Sequence, residues 1–470
     1  MFRFPAKAAS LDFRSPIHGS NSPSLYFIPF SSGRVKITSA VIIMENLPTE
    51  VLLNIFGRLK DATTLLDCVS LVCWRWNALA KDPRAWASVS CTCYVMQKTS
   101  TIFKSTARIL KHAPALSKLT FRTRELVSAE EAADLIADGL TLGEVLNLCR
   151  CSISTVDVCC TLTMAATQAV CAWMERNSHT LRSLSMFVNG KLNQRRRQLN
   201  SIKSLVHLQE LVLVVRESPR YQRELHESLT SLRVLKYSVS TPLRKVPENH
   251  VRLLADLLRG AAATLCHVDI DVILGPSAVQ ALKQCTRLTS ATLNMGAVGA
   301  VHAMASLREL TLAVRSPDDR CPRNAEMPAV GTLCGLRLLR LNVETIVKAD
   351  VGCGPMLQAL GLAAPNVATL VVNYGRSASA LVPAMEKDVC EFLETHPGLT
   401  AVTISSGGAS LVPRLAGLTD LQDLRVDLRI PLNDWGTSCE TFRSMSGPIR
   451  GVVKLIPVEV EPKTFRWMQR

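Results

Sequence analysis

Apolar residues recur in this chain at two superimposed periods. Short cores close to Leu-x-x-Leu-x-Leu start at Leu116, Leu148, Leu181, Leu208, Leu232, Leu265, Leu288, Leu307, Leu336, Val367, Leu399 and Leu421. Within a core the fourth and sixth positions are apolar, and the eighth usually follows, as at Val188, Val215, Val272 and Leu428. That alternation is the mark of a short strand with one buried face. Helix-like stretches such as Val251 to Leu258, Ser277 to Lys283 and Asp388 to Glu394 lie between cores and end at breakers such as His396-Pro397-Gly398. One strand and one helix per repeat predict an α/β solenoid of about twelve irregular rungs over residues 116–430. Upstream the period changes. Leu52, Ile55, Phe56 and Leu59 stand at helical spacing, one stripe on a helix entered through Pro48. A second stripe, Val69, Val72, Trp76 and Leu79, follows a start at Asp61 or Thr64 and ends near Asp82-Pro83.

So few helical residues bury too little surface to be stable alone, and such a unit covers its spare apolar face with a partner. Leu47-Pro48, Glu50, Ile55-Phe56, Leu59, Ser70, Val72-Cys73, Trp76, Leu79-Ala80, Asp82 and Trp86 together resemble an F-box, although the stretch from Leu59 to Val72 is longer than that family's usual spacing. The resemblance implies docking on a Skp-family adaptor and, through it, on the cullin and RING subunits of an SCF-type ubiquitin ligase. It assigns Leu47, Pro48, Leu52, Ile55, Phe56, Val72 and Trp76 to adaptor contacts or to the core of the module. The downstream cores resemble leucine-rich repeats, so residues 46–430 look like an F-box and leucine-rich-repeat protein. The Asn or Cys that such repeats carry at the ninth position occurs only as Asn189, so the turns must satisfy their backbone groups in another way. The expected fold class is α/β: an N-terminal helical F-box followed by an α/β leucine-rich-repeat solenoid. The expected divisions are a tail or upstream extension at 1–43, the F-box at 44–90, a connecting helical segment at 91–115, the solenoid at 116–430 and a C-terminal cap or tail at 431–470.

With 47% hydrophobic and 20% charged residues, wholesale disorder is excluded, and an aromatic share of 5% disfavours an all-β sandwich. The net charge of +15 is concentrated, since residues 181–260 hold fifteen basic and six acidic side chains. Sixteen cysteines dispersed over so long a chain suit a reducing compartment, cytoplasmic or nuclear, better than a disulfide framework. Residues 1–43 carry five basic residues and one acid, Asp12, among Ser, Pro and Phe. They contain no apolar run of signal-peptide length and only weakly resemble a transit peptide. The longest uncharged windows, Val158 to Met174 and Pro355 to Gly375, carry Thr, Gln, Asn or Pro, so no transmembrane helix is expected.

Catalytic signatures such as HExxH, GxxxxGK[ST] and GxSxG do not occur. Cys91-x-Cys93, Cys149-x-Cys151 and Cys159-Cys160 lack a second ligand pair at zinc spacing, so neither a metal nor a cofactor is expected. The insert Lys191 to Lys203, with Arg195-Arg196-Arg197 and no aromatic residue, suggests a solvated convex loop more than a nucleic-acid patch. The function that the F-box resemblance implies is non-catalytic: a substrate-recognition subunit that promotes ubiquitination and proteasomal degradation of a bound target. The alternative is an interaction scaffold whose basic solenoid binds nucleic acid or acidic protein without ubiquitin transfer. Positions five and seven of each core point away from the buried positions, which places Phe187, Val212, Val214, Lys236, Asp269, Asp271, Asn294, Arg340, Asn342 and Asn373 on one candidate target-binding face. Two acids at its centre would repel phosphate, so a protein segment is the expected target; neither nucleic acid nor membrane is.

Overall fold

A computed structural model describes residues 47–94, 101–122, 142–216, 228–240, 247–294, 297–301, 303–314, 332–343, 354–374, 383–407, 409–418, 420–431, 434–444 and 450–458. The chain divides into two compact units at Val51/Leu52, and each is taken by itself. Of the first, only Leu47 to Val51 are described, the entry into helix α1 (Thr49–Phe56), where the Val51 N–H donates to the Pro48 carbonyl at 3.1 Å. The segment 1–43 lies outside the described residues.

The second unit begins with small helical pieces. Asp61 accepts from the Thr63 and Thr64 amides at 3.1 Å each and from their hydroxyls at 2.6 and 2.7 Å, satisfying donors that a helix start leaves orphaned. Those bonds, the Thr63 hydroxyl first, hold the Asp61 carboxyl below the usual range. The expected continuous second helix is instead broken. Thr64–Cys68 forms a π-helical turn, Val69–Leu71 a 3-10 turn, and Cys73 is extended before α2 (Trp74–Leu79). A π turn takes up extra residues without disordering the helix, which is how the long Leu59 to Val72 spacing is accommodated. The fully buried Trp86 donates its indole N–H to the Ala80 carbonyl at 2.6 Å and closes the module.

Fourteen described strands then form one sheet in chain order. They are β1 (Ser90–Tyr94), β2 (Ala115–Arg122), β3 (Ser152–Val158), β4 (Ser183–Val188), β5 (Glu210–Val215), β6 (Val234–Val239) and β7 (His267–Asp271). The rest are β8 (Ser290–Asn294), β9 (Glu309–Val314), β10 (Leu338–Val343), β11 (Thr369–Tyr374), β12 (Ala401–Gly407), β13 (Asp423–Pro431) and β14 (Arg450–Val458). Every neighbouring pair is parallel. Helices connect them, as parallel strands require: α3 (Thr101–His112), α4 (Leu142–Leu148), α5 (Met164–Arg176), α6 (Leu192–Lys203), α7 (Glu248–Ala261) and α8 (Pro276–Lys283). The short α9 (Val298–Val301), α10 (Gly354–Ala363), α11 (Pro383–Thr395), α12 (Val412–Ala416) and α13 (Trp435–Ser444) complete the set. The N-terminal helical region is thus followed by a parallel, solenoid-like α/β sheet.

The expected rungs correspond to β2 through β13. Leu184, Leu211, Leu235, Val268, Ala291, Leu310, Leu339, Leu370, Val402 and Leu424, all fourth positions, lie in continuous register and are buried. Each fully buried Leu contributes on the order of 1.5–3 kcal/mol of transfer free energy. The rung placed at Leu148 is corrected: Ile153 pairs with Leu116 and Val156 with Leu184, so its core starts at Ile153, and Leu148 ends α4. The connecting segment expected to be helical contains strand β1, whose inward positions are the buried Cys91 and Cys93, small thiols where a leucine pattern finds no signal. In the C-terminal segment β14 continues the sheet against β13.

The rungs are stitched at their second position. The Gln209 amide donates to the Arg182 carbonyl at 2.7 Å, Arg233 to Gln209 at 2.8 Å, Cys266 to Arg233 at 2.8 Å and Thr289 to Cys266 at 2.8 Å, and the pattern runs on to Gln422 on Thr400 at 2.8 Å. Side-chain hydroxyls add to it, Thr264 on the Leu232 carbonyl at 2.8 Å and Ser306 on that of Thr286 at 2.9 Å. These bonds satisfy backbone groups at the entry to each strand. The basic insert is also corrected, from loop to helix: Gln194 and Gln198 of α6 are buried, and Arg197 pairs with Glu175 at 2.9 Å.

Candidate functional site

Helix α1 buries Leu52, Leu53 and Phe56 and turns Ile55 outward, 38% exposed. The Phe56 ring meets the Trp76 indole edge-on, centroids 5.1 Å apart at 68°. That contact fixes α2 on the module. Yet α2 has no fully buried residue, and Trp74 at its start is 84% exposed. Ahead of it Leu71 is 76% and Val72 45% exposed. A six-residue helix with no buried side of its own and three large apolar side chains in water at or just before its start is an incomplete core.

Of the sequence-predicted adaptor residues, Ile55 and Val72 are on the surface, Trp76 is half-buried, and Leu52 and Phe56 are inside the module. In the first unit Leu47 is half-buried and Pro48 exposed. Leu71 and Trp74, the exposed apolar side chains beside Val72 in the chain, are not among the sequence-predicted residues. The expected helix phase ran unbroken from Val69 through Trp76, which turned Trp74 away from the stripe. The extended Cys73 resets that phase.

The candidate target-binding residues sit on one sheet face. Register places Val212 beside Lys236 and Lys236 beside Asp269, while Phe187 adjoins Val214 and Asn342 adjoins Asn373, whose amide donates to Asn342 Oδ1 at 2.9 Å. Their side chains are half-buried between neighbouring strands. Asn294 is the exception and is corrected to buried; its cross-strand neighbour Ala313 is buried too, so the face is closed there. It also closes toward β3, where Asp157 accepts from Lys118 at 2.7 Å and from the Cys159 thiol at 2.5 Å. Burial raises the Asp157 carboxyl, and these donors outweigh it, leaving the carboxyl below its ordinary range.

Among the described residues no group of three or more His, Cys, Asp or Glu side chains could hold a metal ion. No described helix is long and apolar enough to cross a membrane.

Residues 44–92 match the F-box-like family model, and these are the residues that carry the exposed Ile55, Leu71, Val72 and Trp74. A search of curated proteins finds no match to the chain. The chain therefore carries an F-box-like domain, a kind that typically serves as a non-catalytic adaptor in SCF-type complexes.

Proposed function

We propose that the protein is the substrate-recognition subunit of an SCF-type ubiquitin ligase, with a Skp-family adaptor on the F-box-like domain and a protein target on the repeats. The observation that carries this reading is the exposure of four large apolar side chains, Ile55, Leu71, Val72 and Trp74, within the family match. An exposed Trp of this size is the kind of anchor that buries well in a partner's groove, and the apolar side chains near it in the chain add area to bury. Its part in ubiquitin transfer is proximity: it raises the local concentration of a target beside the ubiquitin-conjugating subunits, so that transfer becomes effectively intramolecular. The repeats are read as leucine-rich, and the target as a protein segment received on the row Val212, Lys236 and Asp269 and its neighbours, where an apolar side chain stands beside a basic and an acidic one. Cullin, RING subunit and proteasomal degradation follow from the adaptor.

Affinity purification of the tagged full chain from cells tests the reading. Recovery of a Skp-family adaptor together with a cullin, identified by mass spectrometry, is expected. Recovery of neither, with the chain folded, would overturn the ligase assignment in favour of a scaffold.

A further inference from the structure

Between α4 and β3 the chain makes a three-residue connection, Cys149-Arg150-Cys151. Its two sulfurs lie 3.1 Å apart, one donating to the other. The connection is pinned on both sides, by the Cys149 amide on the Leu146 carbonyl at 3.3 Å and the Ser152 amide on the Pro114 carbonyl at 3.3 Å. Cys149 is half-exposed and Cys151 buried. A second feature points at the same sulfur. The indole N–H of Trp173, a fully buried side chain, finds no hydrogen-bond acceptor, and it lies near enough to Cys149 to favour that group's thiolate. Arg176 adds positive charge from the same helix, and with Asn147, to which it donates at 2.8 Å, it lines an open groove of about 720 Å³ between α4 and α5.

We propose that Cys149 and Cys151 form a redox-active dithiol that closes to an intramolecular disulfide by exchange with a small-molecule disulfide. Cys149 is the attacking group: it is reached from solvent, while Cys151 waits behind it as the resolving thiol. The Cys151 thiol first, then its amide, the nearby Trp173 indole and the positive charge of Arg176, outweigh burial and bring the Cys149 thiol down to about 7. Cys151 moves up, because its proton is the one that is shared. Burial pushes Cys91, Cys93 and Cys285 up to about 12, which leaves them inert.

The exchange balances with oxidised glutathione as the oxidant. Cys149 thiolate attacks one glutathione sulfur, a Cys149–glutathione bond forms, the glutathione S–S bond breaks and the first glutathione thiolate leaves. Cys151 then gives up its proton, its sulfur attacks that of Cys149, and the second glutathione leaves as thiolate. Two protein thiols are oxidised by two electrons, one disulfide is reduced to two glutathiones, and the two cysteine protons end on them.

The test uses the reduced full chain, incubated with oxidised glutathione, trapped by alkylation and mapped by mass spectrometry. The wild type is expected to show Cys149 and Cys151 joined and free of glutathione. Cys151→Ser is expected to stop with glutathione held on Cys149, and Cys149→Ser to carry none at Cys151. The proposal is overturned if Cys149 and Cys151 alkylate after oxidation as in the reduced control, or if Cys151→Ser carries no adduct at Cys149 while matching the wild type by circular dichroism. Should a variant fail to fold, the wild-type map decides alone.

Discussion

The Trp76 indole packs edge-on against the ring of Phe56, and this contact separates the inside of the F-box-like domain from its outside. Phe56 is a core residue, buried to 2% exposure, and its truncation acts through stability. Phe56→Ala should cost about 3–5 kcal/mol. Ile55→Ala, one position away on the exposed side, should cost under about 1 kcal/mol. Urea unfolding followed by tryptophan fluorescence checks the contrast; equal midpoints for the two variants would mean that the inside and outside of α1 are misassigned.

Gly190 follows the Asn189 amide, which donates to Thr161 Oγ1 at 2.7 Å, and it adopts φ = 92°, a left-handed conformation. A Cβ there would stand 2.4 Å from Gln194 Oε1, the atom that accepts from the Lys191 amide. Gly190→Ala should therefore destabilise the sheet by about 1–3 kcal/mol through backbone strain and the displaced glutamine. Chemical denaturation of the variant, with no fall in midpoint, would be evidence against this turn.

Inside the repeats the Tyr237 hydroxyl and His250 Nδ1 meet at 2.8 Å with both side chains buried. Burial first, and Arg195 second, hold the histidine below its ordinary value of 6.5. A histidine whose folded pKa is depressed favours the unfolded chain once protonated, so its contribution is intact above the unfolded pKa of about 6.5 and is lost as pH falls below it. The wild type should lose melting temperature from about pH 7 toward pH 5 more steeply than His250→Gln. Parallel pH profiles for the two proteins would contradict the buried neutral histidine. Tyr237→Phe, which strips the partner, should cost about 1–3 kcal/mol at neutral pH.

On the candidate target face, reversing Asp269 and Asp271 to Lys should weaken capture of the cellular target while leaving adaptor recovery unchanged. Target recovery equal to wild type in a paired pull-down would remove the centre of the sheet from the binding surface.

Much of the repeat architecture was legible because a buried leucine every second residue of a strand, recurring rung after rung, admits few other structures. It was legible least where other chemistry fills the same space. Strand β1 buries Cys91 and Cys93, and the rung at Ile153 shares its approach with the end of α4, so the pattern slipped to Leu148. In the F-box-like domain, Leu47 to Trp76 announced the module, but the π turn at Thr64–Cys68 and the extended Cys73 depend on how three helical pieces pack, which no helical wheel contains. That is why Leu71 and Trp74, the two most exposed apolar side chains of the module, are not among the sequence-predicted residues.

The most direct test measures the affinity of the full chain for a purified Skp-family adaptor, by titration calorimetry, with Leu71→Ala and Trp74→Ala beside the wild type. Both side chains are already in water, so both variants should keep the wild-type melting temperature. Each should lose adaptor affinity by about thirtyfold or more, as expected when an anchor worth at least about 2 kcal/mol is removed. Wild-type affinity in both variants would contradict the account, because the exposed apolar side chains of the F-box-like domain would then have no role in binding.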